Sequence, residues 1–383
     1  MQKTGWTGSK SGSNFIHNYL DFSTSRTYTQ KRMATLTVIA YYSRRIIKYG
    51  SIGLVILLIL RSAFISFRTY WKKAHPPAPP PPTVAFGKLP KLKFPERTGL
   101  PTLTYKLENI SGTLPKLVDR AKIFFIPKPY PNLLAWDNTK TWAKKIGFTQ
   151  EPEKTEEFSL RFETGNIAKT TLDVNVLTKN FTLTYDWQND LQILSQGNPP
   201  QEAQAISSAK SFLQTANSLT DDLANGEGKV LYFKYSEGNL VKALFFSEAN
   251  FAQVNLFRQD IDKIKVLPPN PKSSNVVVKL SAAKDRGRSI IEVKFVHFPI
   301  SLDNFATYPL KDAASAWTQL KNGQGFIANL GDNTDGNITI RSVYLAYYDS
   351  EESQNFLQPV IVFEGDKDFY GYVPAITDSW LEQ

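Results

Sequence analysis

The chain has 383 residues, 42% hydrophobic and 13% aromatic, enough apolar material for about two or three domains and too much for a wholly disordered polymer. Its formal charge is +10, but fifteen of its 45 basic residues and one of its 35 acids, Asp21, fall in residues 1–95, leaving 30 basic against 34 acidic residues beyond. A basic tail on a slightly acidic body argues against nucleic acid as a partner, and the absence of cysteine excludes disulfides, thiolate nucleophiles and cysteine-held metal centres.

Residues 1–45 read as a disordered or short cytoplasmic tail, rich in Ser, Thr, Gly and Asn at its start and without periodicity. Met33 is the only methionine besides Met1, which makes it an alternative start. Residues 46–68 read as a transmembrane helix. Tyr49–Leu60 is free of charge, but twelve residues reach only about 18 Å of a hydrocarbon core about 30 Å thick. Extension to Phe67 gives roughly 28 Å, with Tyr49, Leu54, Ile56, Leu57, Leu60, Phe64 and Phe67 as the anchor and the stem of Arg61 carrying its charge to the interface. Tyr70 and Trp71 then fall at headgroup depth. A cleaved signal peptide competes with this reading, but RSAFISFRTYW offers a poor small-residue cleavage pattern. Arg44, Arg45 and Lys48 are balanced by Arg68, Lys72 and Lys73, so charge does not orient the segment.

Residues 69–95 read as a linker. Six prolines between Pro76 and Pro82 predict a polyproline II stalk of about 3.1 Å per residue. A stalked body of this size predicts a cell-membrane protein crossing once, with its C-terminal part extracytoplasmic.

Beyond Pro95 helical windows alternate with period-two runs, an α+β pattern with antiparallel sheets. Thr139–Ile146 places Trp142 and Ile146 inward and stops at Gly147; EEFSLRFET, KTTLDVNVLT and NFTLTYDW follow as strands, with Leu172, Val174 and Val176 on one face. Asn198-Pro199-Pro200 opens a helix with an apolar stripe of Ala203, Ile206, Ala209, Leu213 and Ala216, followed by KVLYFKYS, NLVKALFF and FAQVNLFR. Asp312–Asn322 carries Ala313, Ala316, Trp317 and Leu320, and ITIRSVYLAYY, LQPVIVFEG and DFYGYVPA close the chain. Three helix-then-strand stretches predict tandem sheet-plus-helix modules, divided into domains 96–196 and 197–383 with a subsidiary seam at residues 268–274.

No linear chemistry emerges from this frame. His297 continues the apolar phase of Ile291, Val293 and Phe295 and reads as a hydrogen-bonded strand histidine, since no HxH or HExxH accompanies it. A GxSxG elbow and the Gly-rich phosphate loops are missing. Glu151, Glu153, Glu156 and Glu157 read as a solvated loop, and GEGK at 226–229 as a turn. No cofactor or metal is expected. The candidate interaction patch is aromatic: Tyr344, Tyr347 and Tyr348 on one strand, and Phe369, Tyr370 and Tyr372 on another. Such residues serve interfaces by burying large area at small entropic cost. A mixed core and sheet face is the competing assignment for them.

The succession TYPLKDAASAWTQLKNGQGFIANL, ITIRSVYLAYYD and FLQPVIVFEGDKDFYGYVPAI resembles the YycH/YycI family of membrane-anchored extracytoplasmic regulators and the related PepSY-like modules. The resemblance covers the C-terminal third, with a weaker echo at 200–219. It implies a tethered α+β fold without catalytic residues and a regulatory binding role toward a sensor or assembly. The partners expected are membrane lipid at the anchor and an envelope protein or peptide at the body; oligomeric state is left open. A structural component of an envelope or surface assembly is the alternative, and an envelope hydrolase a third.

Overall fold

The computed structural model describes residues 36–74, 81–130, 132–165 and 168–382. They fall into two compact units, one within Met1–Pro80 and one spanning Pro81–Gln383. The alternative start at Met33 and most of the proline stretch lie outside the described residues.

In the first unit Leu36–Ala74 form a single 39-residue helix, α1, about 58 Å long. Its stretch from Leu36 to Trp71 is long and apolar enough to cross a membrane. The helix therefore starts inside the expected tail and ends inside the expected linker. The cause is local: LTVIAYYSRRII and FRTYWKKA contain no glycine or proline, and the first proline after them is Pro76. Tyr49, Leu54, Ile56, Leu57, Leu60, Arg61, Phe64 and Phe67 are all exposed along it, Leu57 by 62%.

In the second unit β1 (Thr104–Leu107) and β2 (Arg120–Phe125) precede α2 (Ala135–Lys145) and four strands, β3 (Glu153–Glu156), β4 (Ser159–Thr164), β5 (Thr170–Asn175) and β6 (Phe181–Tyr185). Next come α3 (Glu202–Thr215), the single turn α4 (Asp221–Ala224), β7 (Gly228–Ser236), β8 (Asn239–Lys242), β9 (Phe251–Leu256) and β10 (Lys265–Leu267). The short α5 (Arg286–Ser289) lies between β11 (Val276–Ser281) and β12 (Ile290–Phe295). The chain closes with β13 (Ser301–Pro309), α6 (Ala313–Lys321), β14 (Phe326–Asn329), β15 (Asn337–Tyr348), β16 (Phe356–Leu357), β17 (Pro359–Gly365) and β18 (Phe369–Pro374).

A nine-stranded sheet runs β3-β4-β5-β6-β12-β11-β9-β7-β8, and α2 and α3 both contribute to one core on it. Leu172, Val174 and Val176 point into that core as their alternation requires. On α3 the buried stripe is Ala205, Ala209 and Leu213, with Ala216 just beyond; Ala203, in the same turn as Ala205 but on another face of the helix, is exposed. On α2, Trp142 and the following Ile146 pack half-buried against the same core, and the turn ends at Gly147 with φ +107°, a conformation only glycine adopts freely. The acidic stretch expected as a loop is partly the edge strand β3, whose four residues are all exposed. The run NLVKALFF is strand only as far as Lys242.

The domain boundary at 196/197 does not divide the molecule. Antiparallel pairing of β6 with β12, Phe181 opposite Phe295 and Thr184 opposite Glu292, carries the sheet across it, because each strand would otherwise leave an open edge. Likewise β1 runs parallel to β15, and β2 is flanked by β13 and β16 in a three-stranded sheet. Residues 81–95, expected as linker, belong to this unit. Thr83 and Thr307 exchange hydrogen bonds, Leu89 is wholly buried and bridges to Leu381, and Phe94 stacks on Phe326 at 4.8 Å.

The six-stranded sheet, β1-β15-β17-β18-β14 with β10 also on β15, is buried on both faces at its centre. Ile361 and Phe363 of β17 meet Ala316 and Leu320 of α6, while Val360 and Val362 point to the other side with Tyr348 and Tyr372. A continuous apolar run such as PVIVF is what a doubly covered strand demands. The connection 268–274 is where the chain leaves this sheet, after β10, to enter the nine-stranded one at β11.

Candidate functional site

The six aromatic residues of the expected patch do not form one surface. Tyr347, Tyr348, Phe369 and Tyr372 are buried. Tyr347 donates its hydroxyl to the Lys122 carbonyl and Tyr372 to that of Pro268. They are core because β15 and β18 lie inside the sheet, where both sets of alternating side chains are covered. Tyr344 and Tyr370 remain half-buried, and these two meet at a cavity.

That cavity, about 380 Å³, opens between the two large sheets, within the size range of small-ligand and side-chain pockets. Tyr344, Tyr370 and Lys265 of β10 wall it from one side, Phe257 and Lys229 from the other, with Pro271 from the connection after β10. The Lys265 ammonium sits 5.6 Å from the centre of the Tyr344 ring and Lys229 5.3 Å from that of Phe257, both at cation–π range. Tyr370 donates to Glu364 at 2.9 Å. Burial, and then the nearby Glu364 carboxylate, push both tyrosine hydroxyls far above the ordinary phenol value, so both stay protonated donors. The turn GEGK borders the cavity: a Cβ on Gly226 would fall 1.9 Å from the Phe257 carbonyl, so only glycine lets the chain pass so close.

Beneath the cavity lies a polar clamp. Arg258, just past β9, donates to Asp222 of α4 at 2.8 Å, to Asp349 just past β15 at 3.0 Å and to the Phe298 carbonyl at 2.7 Å. Asn275 donates to the Asp349 carbonyl at 2.8 Å. A buried guanidinium satisfied on three sides is a stable way to carry charge inside a fold, and here it ties the nine-stranded sheet to the six-stranded one. His297 is hydrogen-bonded as expected, though beyond the end of β12: Nε2 lies 3.0 Å from Asp222 and 3.2 Å from the Thr220 hydroxyl, while its backbone N–H donates to Asn180. Both side-chain partners meet the same ring nitrogen, so the imidazole does not bridge an acid to a hydroxyl as in a triad. Burial alone would raise the Asp222 carboxyl; His297, Arg258 and Thr220 overcome it and hold the group well below the ordinary value.

Among the described residues no cluster of His, Asp or Glu has the geometry to hold a metal ion. Sequence reasoning missed Arg258, Asp222 and Asn275 altogether. Asp349 stood in the quoted YLAYYD strand with nothing to mark it, because the four residues meet only across the seam.

Fold and site together define an α+β protein with several sheets and one long apolar N-terminal helix. No family model matches the chain, and no curated protein does. A solved structure of an uncharacterized protein from Eubacterium rectale ATCC 33656 is similar at a TM-score of 0.33 and 13% identity, over 68% of this chain and 84% of that one.

Proposed function

We propose that the chain is a single-pass membrane protein whose α+β body stands on the extracytoplasmic side and binds a protein or peptide of the cell envelope without chemical turnover. The observation that carries this reading is the pairing of a membrane-length helix, exposed along its apolar length, with a body that has an aromatic-walled cavity at the seam between its two large sheets. An inserted side chain from a partner would stack on Tyr344 and Tyr370, and the Lys265 and Lys229 ammonium groups would meet its polar end. The proline-rich stretch supports a stalk between anchor and body, and confinement near the bilayer raises the body's effective concentration for envelope partners. The likeness of the C-terminal third to YycH/YycI regulators and PepSY-like modules supports a regulatory role toward a sensor or assembly.

A photoreactive residue at Lys265, in the full chain expressed in its own membranes, tests the proposal. A discrete adduct with an envelope protein or peptide, lost on Tyr344→Ala and absent for the same label at Glu156, is the expected result. Equal labelling at both positions, or none at either, would refute it.

A further inference from the structure

A second surface on the body has a different character. After β8 the chain does not continue as strand but turns through Ala243–Phe246, and here Leu244 is 83% and Phe245 65% exposed. The exposure is built, not a product of looseness. Ala243 N–H donates to the Tyr232 carbonyl at 2.8 Å, Glu248 N–H to Phe245 at 3.1 Å and Ala249 N–H to Phe246 at 3.0 Å. The Asn198 amide donates to the Phe246 carbonyl at 2.9 Å, and the Phe246 ring packs edge-on to Tyr232 at 5.1 Å. The two ends of the loop are thus pinned to the body while two large apolar side chains project outward. That combination is costly in water and suited to a medium that offers apolar volume but few hydrogen bonds.

We propose that this tip contacts lipid, Leu244 and Phe245 entering the headgroup–acyl boundary of the bilayer. The inference rests on the reading of α1 as a membrane anchor. Size favours lipid over protein as the occupant. A stable protein interface buries about 800 Å² on each partner, and one Leu with one Phe supplies on the order of half of that. The flanking charges agree: Lys242 has no ion-pair partner among the described residues, free to meet lipid phosphate, whereas Glu248, the next acid along the chain after the tip, is already paired with Lys234 at 2.7 Å. Tether and tip would together fix how the body faces the membrane.

The cysteine-free chain allows one probe at a time. The full-length Leu244→Cys protein, labelled with an environment-sensitive nitrobenzoxadiazole dye, is reconstituted into phosphatidylcholine–phosphatidylglycerol vesicles and floated on a density gradient. A blue-shifted emission, quenched by shallow spin-labelled lipid and abolished by Phe245→Asp, is expected; the same dye at Glu156→Cys, on the exposed edge strand β3, stays solvent-like. Solvent-like emission at position 244 in chains that float overturns the tip while leaving the anchor standing. A blue shift without lipid quenching means that a second copy covers the tip, and overturns it equally. Chains that fail to float refute the anchor and the tip together.

Discussion

Helix α1 and the body use the same residues in opposite senses. Leu57 on α1 is mostly exposed, whereas Leu213 on α3 is wholly buried against the nine-stranded sheet. Conversely, the charges of α1 flank its uncharged middle, while the body draws the Arg258 guanidinium inside and surrounds it with Asp222, Asp349 and a carbonyl. The difference teaches that hydrophobicity alone does not place a helix. The α3 stripe is narrow and needs one apolar neighbour; the α1 surface is apolar nearly all round and needs an apolar solvent.

The sharpest way to break this contrast is at the buried charge. Arg258→Ala leaves two inward carboxylates without their cation and is expected to cost about 3–5 kcal/mol, read as a lower midpoint in denaturant; a loss below about 1 kcal/mol would show that the seam does not depend on the clamp. Next is the same truncation in both helices. Leu213→Ala is expected to destabilise the body by about 2–5 kcal/mol, whereas Leu57→Ala leaves its unfolding within about 0.5 kcal/mol. Equal effects would mean that α1 packs like a body helix. Leu57→Asp is expected to weaken insertion by about 2.5–3.5 kcal/mol, seen as chain released by alkaline carbonate.

Acid tests the clamp more gently. His297, Arg258 and Thr220 hold the Asp222 carboxyl well below the ordinary carboxylate range in the folded state, so its contribution is complete above about pH 5 and is lost as the pH falls below about 4 toward the folded value. A melting temperature that falls more steeply across pH 5 to 3 in the parent than in Asp222→Asn is the expected result. The smallest effect is at the cavity: Tyr370→Phe gives up one hydrogen bond to Glu364 at 2.9 Å, about 0.5–1.5 kcal/mol, and the melting temperature should fall by only a few degrees.

Much of the secondary structure was legible because periodicity is a property of near neighbours. The α6 stripe of Ala313, Ala316 and Leu320 and the alternation of Leu172, Val174 and Val176 needed nothing beyond their own windows. The α3 stripe departs at Ala203, which lies on another face from Ala205, since the window fixes the period but not the face that meets the sheet. The aromatic patch failed for a related reason. Alternation predicts that half of a strand faces away from the core, but β15 and β18 have cover on both faces, so Tyr347, Tyr348 and Tyr372 are all inside.

By itself, then, the sequence determined that a long apolar helix precedes an α+β body, because helix length, breakers and alternation are written in consecutive residues. Tertiary structure alone decided that β6 pairs with β12 across the expected boundary, that residues 81–95 join the body, and that Arg258 finds Asp222 and Asp349. Those contacts join residues far apart in the chain, and an arginine or an edge strand carries no local mark of which distant partner will satisfy it.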